Sequence, residues 1–188
     1  ITVNPDGTLN LLEGSVDIGG SRAAIAMQAA EALGLPYEDI KPTVADTDSV
    51  GFTAVTGGSR TAFATGLAAM DAADQVKRLM IERAAKIWDT SADNVQYEKG
   101  TFSHISDPEL KLSFKQLAAQ LNPTGGAISA SASVEPTGQG NSVATHIVDV
   151  EVDPDTGKVE ILRYTAAQDA GKAVHPSYVE GQMQGGSV

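Results

Sequence analysis

The stretch Asp46–Arg83, DTDSVGFTAVTGGSRTAFATGLAAMDAADQVKRLMIER, places a polar, glycine-bearing loop directly before the longest helical pattern of the chain. Apolar residues recur along this pattern at spacings of three or four, which predicts one buried helical face. An unbroken helix of this length would be roughly 40 Å long at about 1.5 Å per residue. The predicted buried face consists of Phe63, Leu67, Met70, Val76, Leu79, Met80, Ile87 and Trp88.

The loop that opens this helix, Gly57-Gly58-Ser59-Arg60-Thr61, combines features that suit an anion. Free backbone N–H groups and the positive end of the helix dipole attract negative charge, and glycines allow a ligand to approach closely. The competing interpretation is a tight turn in which the serine caps the helix and the arginine is solvated. The loop is therefore a candidate phosphate site, with Arg60 as its charged group.

The tetrapeptide GGSR occurs a second time, as Gly19-Gly20-Ser21-Arg22, after an apolar segment that ends at Ile18. It opens a second helix, predicted over Ser21–Leu33, with Gly34 as the C-terminal cap and Pro36 just beyond. A tight turn explains either copy alone. The pair favours a large ligand with more than one phosphate or polar arm, and this requires the two loops to lie together with their N–H groups free.

The amino-acid composition argues against several classes of partner and catalytic site. The 188 residues include 24 acidic and 13 basic residues, giving a net charge of −11. Clustered Lys and Arg are absent, which argues against nucleic acid and anionic membranes as partners. The chain has no cysteine, which excludes disulfides, thiol catalysis and any iron–sulfur cluster bound within it. The histidines at 104, 146 and 175 lack the spacing of a metal site.

No apolar run approaches the ~20 residues of a membrane span, and no signal peptide is evident. We therefore expect a cytoplasmic protein. The chain begins at Ile1 rather than at a methionine and stops within Gly185-Gly186-Ser187-Val188. We expect it to be a segment of a longer protein, truncated at both ends.

Strands are predicted mainly as hairpins rather than as regular βαβ units, which favours an α+β fold: two-layer mixed sheets with hairpins packed against helices. A division into two lobes, 1–125 and 126–188, is expected. Ser113 and Gln116 form a predicted capping box that opens a short helix, which Asn122-Pro123 should end. The other predicted elements are strands at Ile1–Val3, Thr8–Ile18, Ile40–Ala45, Asn94–Ser103 (a strand–turn–strand), His146–Val152 and Val159–Ala166, and a last helix from Pro176.

Three other patterns carry little chemistry. Asp46 and Asp48 could ligate magnesium or act as acid and base, but with no third ligand evident they are better explained as turn-forming residues. Ser21 and Ser59 are potential nucleophiles, yet neither lies in a G-x-S-x-G motif. Neither standard nucleotide fingerprint, G-x-G-x-x-G or G-x-x-x-x-G-K-[ST], occurs.

Several segments of the chain occur in a characteristic order. They are Gly14–Ser21, Ala29–Pro36, Asp46–Asp48, Gly57–Thr61 with Ala64–Gly66, Val150–Gly157, Asp169–Gly171, Val174–Pro176, Val179–Gln182 and Gly185-Gly186. Each segment is weakly specific alone, but the ordered set spans nearly the whole chain. Through this set the chain resembles part of the molybdenum-cofactor-binding domain in the large subunit of the xanthine dehydrogenase and aldehyde oxidase family.

The resemblance implies a molybdenum-dependent oxidoreductase that hydroxylates an aldehyde or N-heterocycle, a small-molecule substrate, with water-derived oxygen. It implies a molybdenum–pterin cofactor, often a cytosine dinucleotide in bacteria, whose own dithiolene holds the metal. Iron–sulfur and flavin groups are expected only on other domains or subunits, alongside the remaining part of the large subunit. The implied cofactor contacts are Gly19, Gly20, Ser21, Arg22, Gly57, Gly58, Ser59, Arg60 and Thr61.

The chain also departs from the family pattern. Many members carry Gly-Gln-Gly in the first loop, whereas here Gly20 replaces the glutamine and Ser21 the second glycine. His175 stands where asparagine is common, and the Gly-x-Gly-Glu motif of the catalytic base has no counterpart before Val188. We therefore assign no catalytic residue and no metal ligand within the chain. The alternatives are a non-enzymatic phosphate- or nucleotide-binding module, and an acidic domain for subunit association.

Overall fold

The computed structural model describes residues 1–44, 46–138 and 140–187. They divide into two compact units, Ile1–Thr137 and Gly138–Val188. Residues 126–137, which the sequence places in a second lobe, lie with the first unit. This follows from backbone pairing, because Val3 N–H donates to the Ile128 carbonyl at 2.9 Å and Ala130 N–H donates to the Ile1 carbonyl at 2.9 Å.

The first sheet contains one βαβ unit that the sequence did not predict. Strands β1 (Thr2–Val3) and β2 (Leu9–Glu13) form the expected antiparallel hairpin. Strand β3 (Ile40–Val44) then pairs parallel to β2, and helix α1 (Ser21–Leu33) forms the crossover. The strand order β1-β2-β3 puts β3 at an edge, as Pro42 predicts. Ala45, the predicted last residue of this strand, lies outside the described residues.

Strand β2 ends at Glu13 rather than continuing to Ile18, because the chain turns there into the first glycine-rich loop. Helix α1 has the predicted bounds. Gly34 adopts φ 63° and donates its N–H to the Ala30 and Glu31 carbonyls, which closes the helix.

The long helix begins with a π-helical turn, Thr61–Thr65, and continues as α2 (Gly66–Ile87). Its buried face differs from the prediction. Val76 and Met80 are buried as expected, but Leu67 and Leu79 are 38% and 37% exposed. The buried surface is instead rich in alanine, which allows α2 to lie close to α1. The alanines are Ala69, Ala72, Ala73, Ala84 and Ala85.

The second sheet is antiparallel, with β4 (Val95–Glu98), β5 (Thr101–His104) and β6 (Lys111–Ser113) in that order. The turn at Lys99-Gly100 is confirmed, and β6 is an additional strand. The predicted capping box is present at the start of α3 (Phe114–Ala118).

A further short helix, α4 (Leu121–Gly125), follows α3 and contains Pro123. The expected end of helical structure at Asn122-Pro123 is therefore wrong. A proline is tolerated in a first helical turn because its missing N–H would have no intrahelical partner there.

The first unit has a single apolar core between its sheets and helices. The largest fully buried apolar side chains are Leu9, Ile25, Leu33, Val76, Met80, Phe102, Leu117 and Leu121.

The second unit contains the predicted hairpin, β7 (Val143–Val152) and β8 (Val159–Asp169), followed by α5 (Pro176–Ser187), which Pro176 opens as predicted. Within the described part of the chain, no helix is both long and apolar enough to cross a membrane. The mixed helices and small sheets confirm the predicted α+β fold class.

Candidate functional site

Because β2 and β3 are parallel, the two segments that lead from them to the GGSR loops both start at the same end of the first sheet, the carboxyl ends of the two strands. Strand β2 ends there at Glu13 and β3 at Val44, so the segments that follow them start side by side. Side chains confirm the proximity. The Ser15 and Thr65 hydroxyls are 2.6 Å apart, and a Cβ on Gly14 would overlap with Thr53 Oγ1. The segments that flank the two GGSR loops are therefore in contact, which supports the first condition for a shared ligand site, adjacent loops.

The two helices that start after these loops are also joined. Gln28 on α1 donates from Nε2 to the Ala62 carbonyl in the π-helical turn, at 3.1 Å. Gly66 permits this approach, because a Cβ there would overlap with the Gln28 amide. The hydrogen bond from Gln28 to Ala62, together with the absence of a side chain at Gly66, fixes the start of α2 against α1.

In the first loop, Ser21 is used to close the loop on itself. Gly20 precedes the helix with φ 80°, and Ser21 N–H donates to the Ile18 carbonyl at 3.1 Å. The Ser21 hydroxyl accepts the Ile18 N–H at 3.1 Å and donates to the Val16 carbonyl at 3.4 Å. This buried hydroxyl is therefore turned away from an incoming ligand.

Arg22 is bound by Asp17, an acidic residue of the same loop. Asp17 Oδ1 accepts the Arg22 N–H at 3.1 Å, and Asp17 Oδ2 lies 3.3 Å from Arg22 Nε. A carboxylate thus already occupies the place where the start of α1 would bind an anion. Of the loop's N–H groups, those of Gly19 and Gly20 have no protein partner among the described residues. The second condition, free N–H groups, is met only in part here.

The second loop is open by comparison. Gly57, Gly58 and Ser59 are exposed, and in the described ranges their N–H groups donate to no other protein group. A Cβ on either glycine would meet nothing within 4 Å, so a ligand can approach the backbone. Ser59 has φ 60°, in the left-handed region, and does not cap the helix.

The side chains beside this loop set its charge. Arg60 donates from Nη1 to the Ala54 carbonyl at 3.1 Å, which leaves the rest of its guanidinium available. Thr61 is buried and begins the π-helical turn. The open N–H groups and one arginine form the part of the site best suited to phosphate.

A group that the sequence analysis missed is Glu13, the last residue of β2. The residue is 5% exposed, and neither carboxyl oxygen has a hydrogen-bond partner among the residues that the structure describes. Burial raises the pKa of this carboxyl to about 7, with a smaller contribution from the negative charge of Asp17. The signal was present in the sequence, because Leu9, Leu11 and Glu13 alternate toward the core.

The acidic loop before the second GGSR forms turns, as expected. The Asp46 carboxylate accepts the N–H of Asp48 at 3.1 Å and the Ser49 hydroxyl, and these bonds hold its pKa below the usual range. Across residues 1–44, 46–138 and 140–187, no cluster of three or more His, Cys, Asp or Glu could hold a metal ion.

Comparison with solved structures identifies the class of fold. A crystal structure of the Cu,Mo-CO dehydrogenase superposes with a TM-score of 0.83 and 24% identity over 99% of this chain and 24% of the other. Quinoline 2-oxidoreductase from Pseudomonas putida superposes with a TM-score of 0.78 and 22% identity over 98% of this chain and 25% of the other. The fold is that of a region that makes up about a quarter of each of these longer chains.

Sequence comparison identifies the family. The family model described as "Molybdopterin cofactor-binding domain" matches residues 1–188, and the chain belongs to this family. The xanthine dehydrogenase molybdenum-binding subunit of Escherichia coli is 33% identical over 99% of the chain and 26% of its own length. The nicotine 6-hydroxylase large subunit of Paenarthrobacter nicotinovorans is 26% identical over 100% of the chain and 24% of its length.

The chain therefore spans about a quarter of the length of the curated relatives it matches. The predicted resemblance is confirmed, and the matches do not support a free-standing nucleotide-binding module.

Proposed function

We propose that the protein containing this chain is a molybdenum hydroxylase that oxidises an aldehyde or N-heterocycle with water-derived oxygen. The observation that carries the proposal is that the segments leading to two glycine-rich helix starts leave the carboxyl ends of adjacent parallel strands. The chain that contains them belongs to the molybdopterin-binding family. Relatives named as xanthine dehydrogenase and nicotine 6-hydroxylase subunits support it. When bound, the cofactor supplies the oxidation and oxygen transfer, and the residues of this chain bind and orient it.

In this proposal the second glycine-rich loop makes more of the direct contacts with the cofactor than the first. The N–H groups of Gly57, Gly58 and Ser59 bind phosphate or other anionic oxygens of the cofactor, and Arg60 adds a charge-assisted bond. Thr61 starts the helix whose dipole points at the same oxygens.

The first loop binds the cofactor through backbone groups of Gly19 and Gly20. Ser21 and Arg22 support it indirectly, because their bonds to Ile18, Val16 and Asp17 fix the path of the backbone. Gly20 lies in the position of a glutamine in many members, so this chain contributes no side chain there. The cofactor in this proposal is the cytosine dinucleotide form, whose extra phosphate and nucleoside need a long, donor-lined site.

The hairpin of the second unit supports a role for the rest of the large subunit. Val150, Val152, Val159 and Ile161 are cross-strand neighbours and are 48% to 62% exposed. A two-stranded ribbon with an uncovered apolar face is marginal in water. The remaining chain of the subunit covers this face in our proposal. Iron–sulfur and flavin subunits complete the electron path, since this chain has no cysteine for a cluster, and the assembly is cytoplasmic.

The test is metal and pterin analysis of the full-length protein. Molybdenum together with a pterin that releases a cytidine nucleotide on hydrolysis is the expected result, and release of a guanosine nucleotide would correct only the cofactor form. A protein purified from a cofactor-producing host without molybdenum or pterin would overturn the proposal. Residues 1–188 alone should show no turnover of aldehydes or purines, because the site lacks its remaining walls.

A further inference from the structure

Glu13 lies at an unusual position for an acid. It is the third inward-facing residue of β2, in line with Leu9 and Leu11, and pairs with Val44 of β3. Only 5% of the residue is exposed, yet Oε1 and Oε2 make no hydrogen bond to the described residues. Buried carboxyl groups in folded proteins nearly always have partners.

The charged groups around Glu13 do not compensate for its burial. Asp17 and Arg22 are the charged residues of the described chain whose fields act on it, and they act in opposite directions. Arg22 is already bound to Asp17 through both its backbone N–H and its guanidinium. The fold therefore keeps an acid in its interior without a cation paired to it among the described residues.

Glu13 is also the buried residue nearest the candidate site along β2. Glu13 is the last residue of β2, and the segments that lead to both glycine-rich loops start at the carboxyl ends of β2 and β3. Gly14 and Ser15, which follow directly, touch Thr53 and Thr65 around the second loop. In open sheets, ligands bind in the crevice outside the carboxyl ends of parallel strands.

We propose that Glu13 is a cofactor-contacting residue whose carboxyl oxygens accept N–H groups of the cofactor's pterin ring system. The inference rests on the proposed function. Pterins carry an amino group and ring N–H groups, and a carboxylate offers two acceptor oxygens and no donor, so the two are complementary. The cofactor thus supplies the hydrogen-bond donors that the protein does not. Binding of the cofactor also explains the presence of an acid whose burial destabilises the cofactor-free fold.

The experiment compares three variants of the full-length subunit: Glu13→Leu, Glu13→Gln and the control Glu98→Gln, which changes an exposed acid on β4. Each is made in a cofactor-producing host and in a host that cannot make the pterin. Molybdenum and pterin per subunit are measured in the first, and the melting temperature at pH 8 in the second.

We expect Glu13→Leu to raise the melting temperature of the cofactor-free subunit and to lower its molybdenum and pterin content at least tenfold in the producing host. Glu13→Gln, which keeps one acceptor oxygen, should retain more cofactor than Glu13→Leu. Glu98→Gln should match the wild type in both measurements.

Opposite signs in the two measurements separate a binding role from a structural one. Wild-type cofactor content in Glu13→Leu overturns the assignment while leaving the proposed function intact, as would be seen if Glu13 bonded only to a buried water. A melting temperature that falls together with cofactor content also overturns it, since Glu13 would then be structural. Absence of cofactor from the wild type overturns the proposed function and this inference together.

Discussion

Asp17 binds Arg22 at two points: Oδ1 accepts the Arg22 N–H at 3.1 Å, and Oδ2 lies 3.3 Å from Nε. This pair makes the two GGSR loops unequal. At the first loop an internal carboxylate satisfies the start of α1, whereas the second loop leaves three successive N–H groups without protein partners in the described ranges. An external anion therefore has one open helix start and one that is already capped.

The capping role of Asp17 can be tested by substitution. Asp17→Ala removes the acceptor of the Arg22 N–H and should destabilise the subunit by about 1 kcal/mol, the usual effect of losing a helix cap. Asp17→Asn keeps an acceptor oxygen and loses only a partly exposed ion pair, which is worth about 0.5 kcal/mol. The measurement is the melting temperature of the cofactor-free subunit. Equal losses in the two variants would show that the charge, rather than the cap, matters.

Arg60 should control cofactor occupancy. Arg60→Ala removes the cationic side chain beside the open N–H groups of the second loop, so we expect the molybdenum and pterin content of the purified full-length protein to fall several-fold. The matched control is Arg78→Ala, which removes an exposed arginine of α2 remote in sequence from the loop. Unchanged molybdenum content in Arg60→Ala would remove this residue from the site.

The sequence predicted those features whose causes are local. Helix α1 has the predicted bounds because its end signals, Gly34 and Pro36, act on neighbouring backbone. The capping box at Ser113 is likewise a contact over three residues. The buried face of α2 was less predictable, because small alanines become buried only when another helix lies close.

The difference between the GGSR loops was also encoded, but outside the tetrapeptide. The acid that binds Arg22 lies five residues before it, and the residue five before Arg60 is Val55. Glu13 lies opposite Val44 in the parallel pair of β2 and β3, two strands that are distant in sequence. Such contacts between distant segments leave only a weak trace, here an acid in an alternating apolar pattern.

Gly14 should be required for the two loops to lie together. A Cβ at this position would overlap with Thr53 Oγ1 and lie 3.0 Å from Thr53 Cβ, so Gly14→Ala must displace the Thr53 side chain, which precedes the second loop. We expect a loss of about 1–3 kcal/mol in stability, typical of overpacking, together with reduced cofactor content. The control is Gly51→Ala, where a Cβ meets nothing within 4 Å.

A second substitution identifies the cause of the Gly14→Ala defect. Thr53→Ala removes the overlapping hydroxyl, so the double variant Gly14→Ala/Thr53→Ala should recover much of the stability that Gly14→Ala loses. Coupling of this kind is expected only between residues in contact. Additive losses would place the effect of Gly14→Ala in the backbone rather than in this contact.

Glu13 should give the cofactor-free subunit a distinctive dependence of stability on pH. Its pKa rises from an ordinary value of 4.5 to about 7 in the fold, so the folded state holds this proton more tightly than the unfolded state. Stability therefore falls as the pH rises above 4.5, and the loss is complete once the pH exceeds about 7. A shift of this size corresponds to about 3 kcal/mol.

Other groups titrate over the same range, so the informative quantity is the difference between the wild type and Glu13→Gln. Glutamine does not titrate, and the variant should gain stability relative to the wild type as the pH is raised from about 5 to about 8, measured by thermal unfolding of cofactor-free subunits. Binding of N–H donors to the carboxylate would reverse the shift, so the difference should shrink in cofactor-loaded protein. A difference that stays constant with pH would mean that Glu13 remains ionised in the fold, with a partner that stabilises its charge.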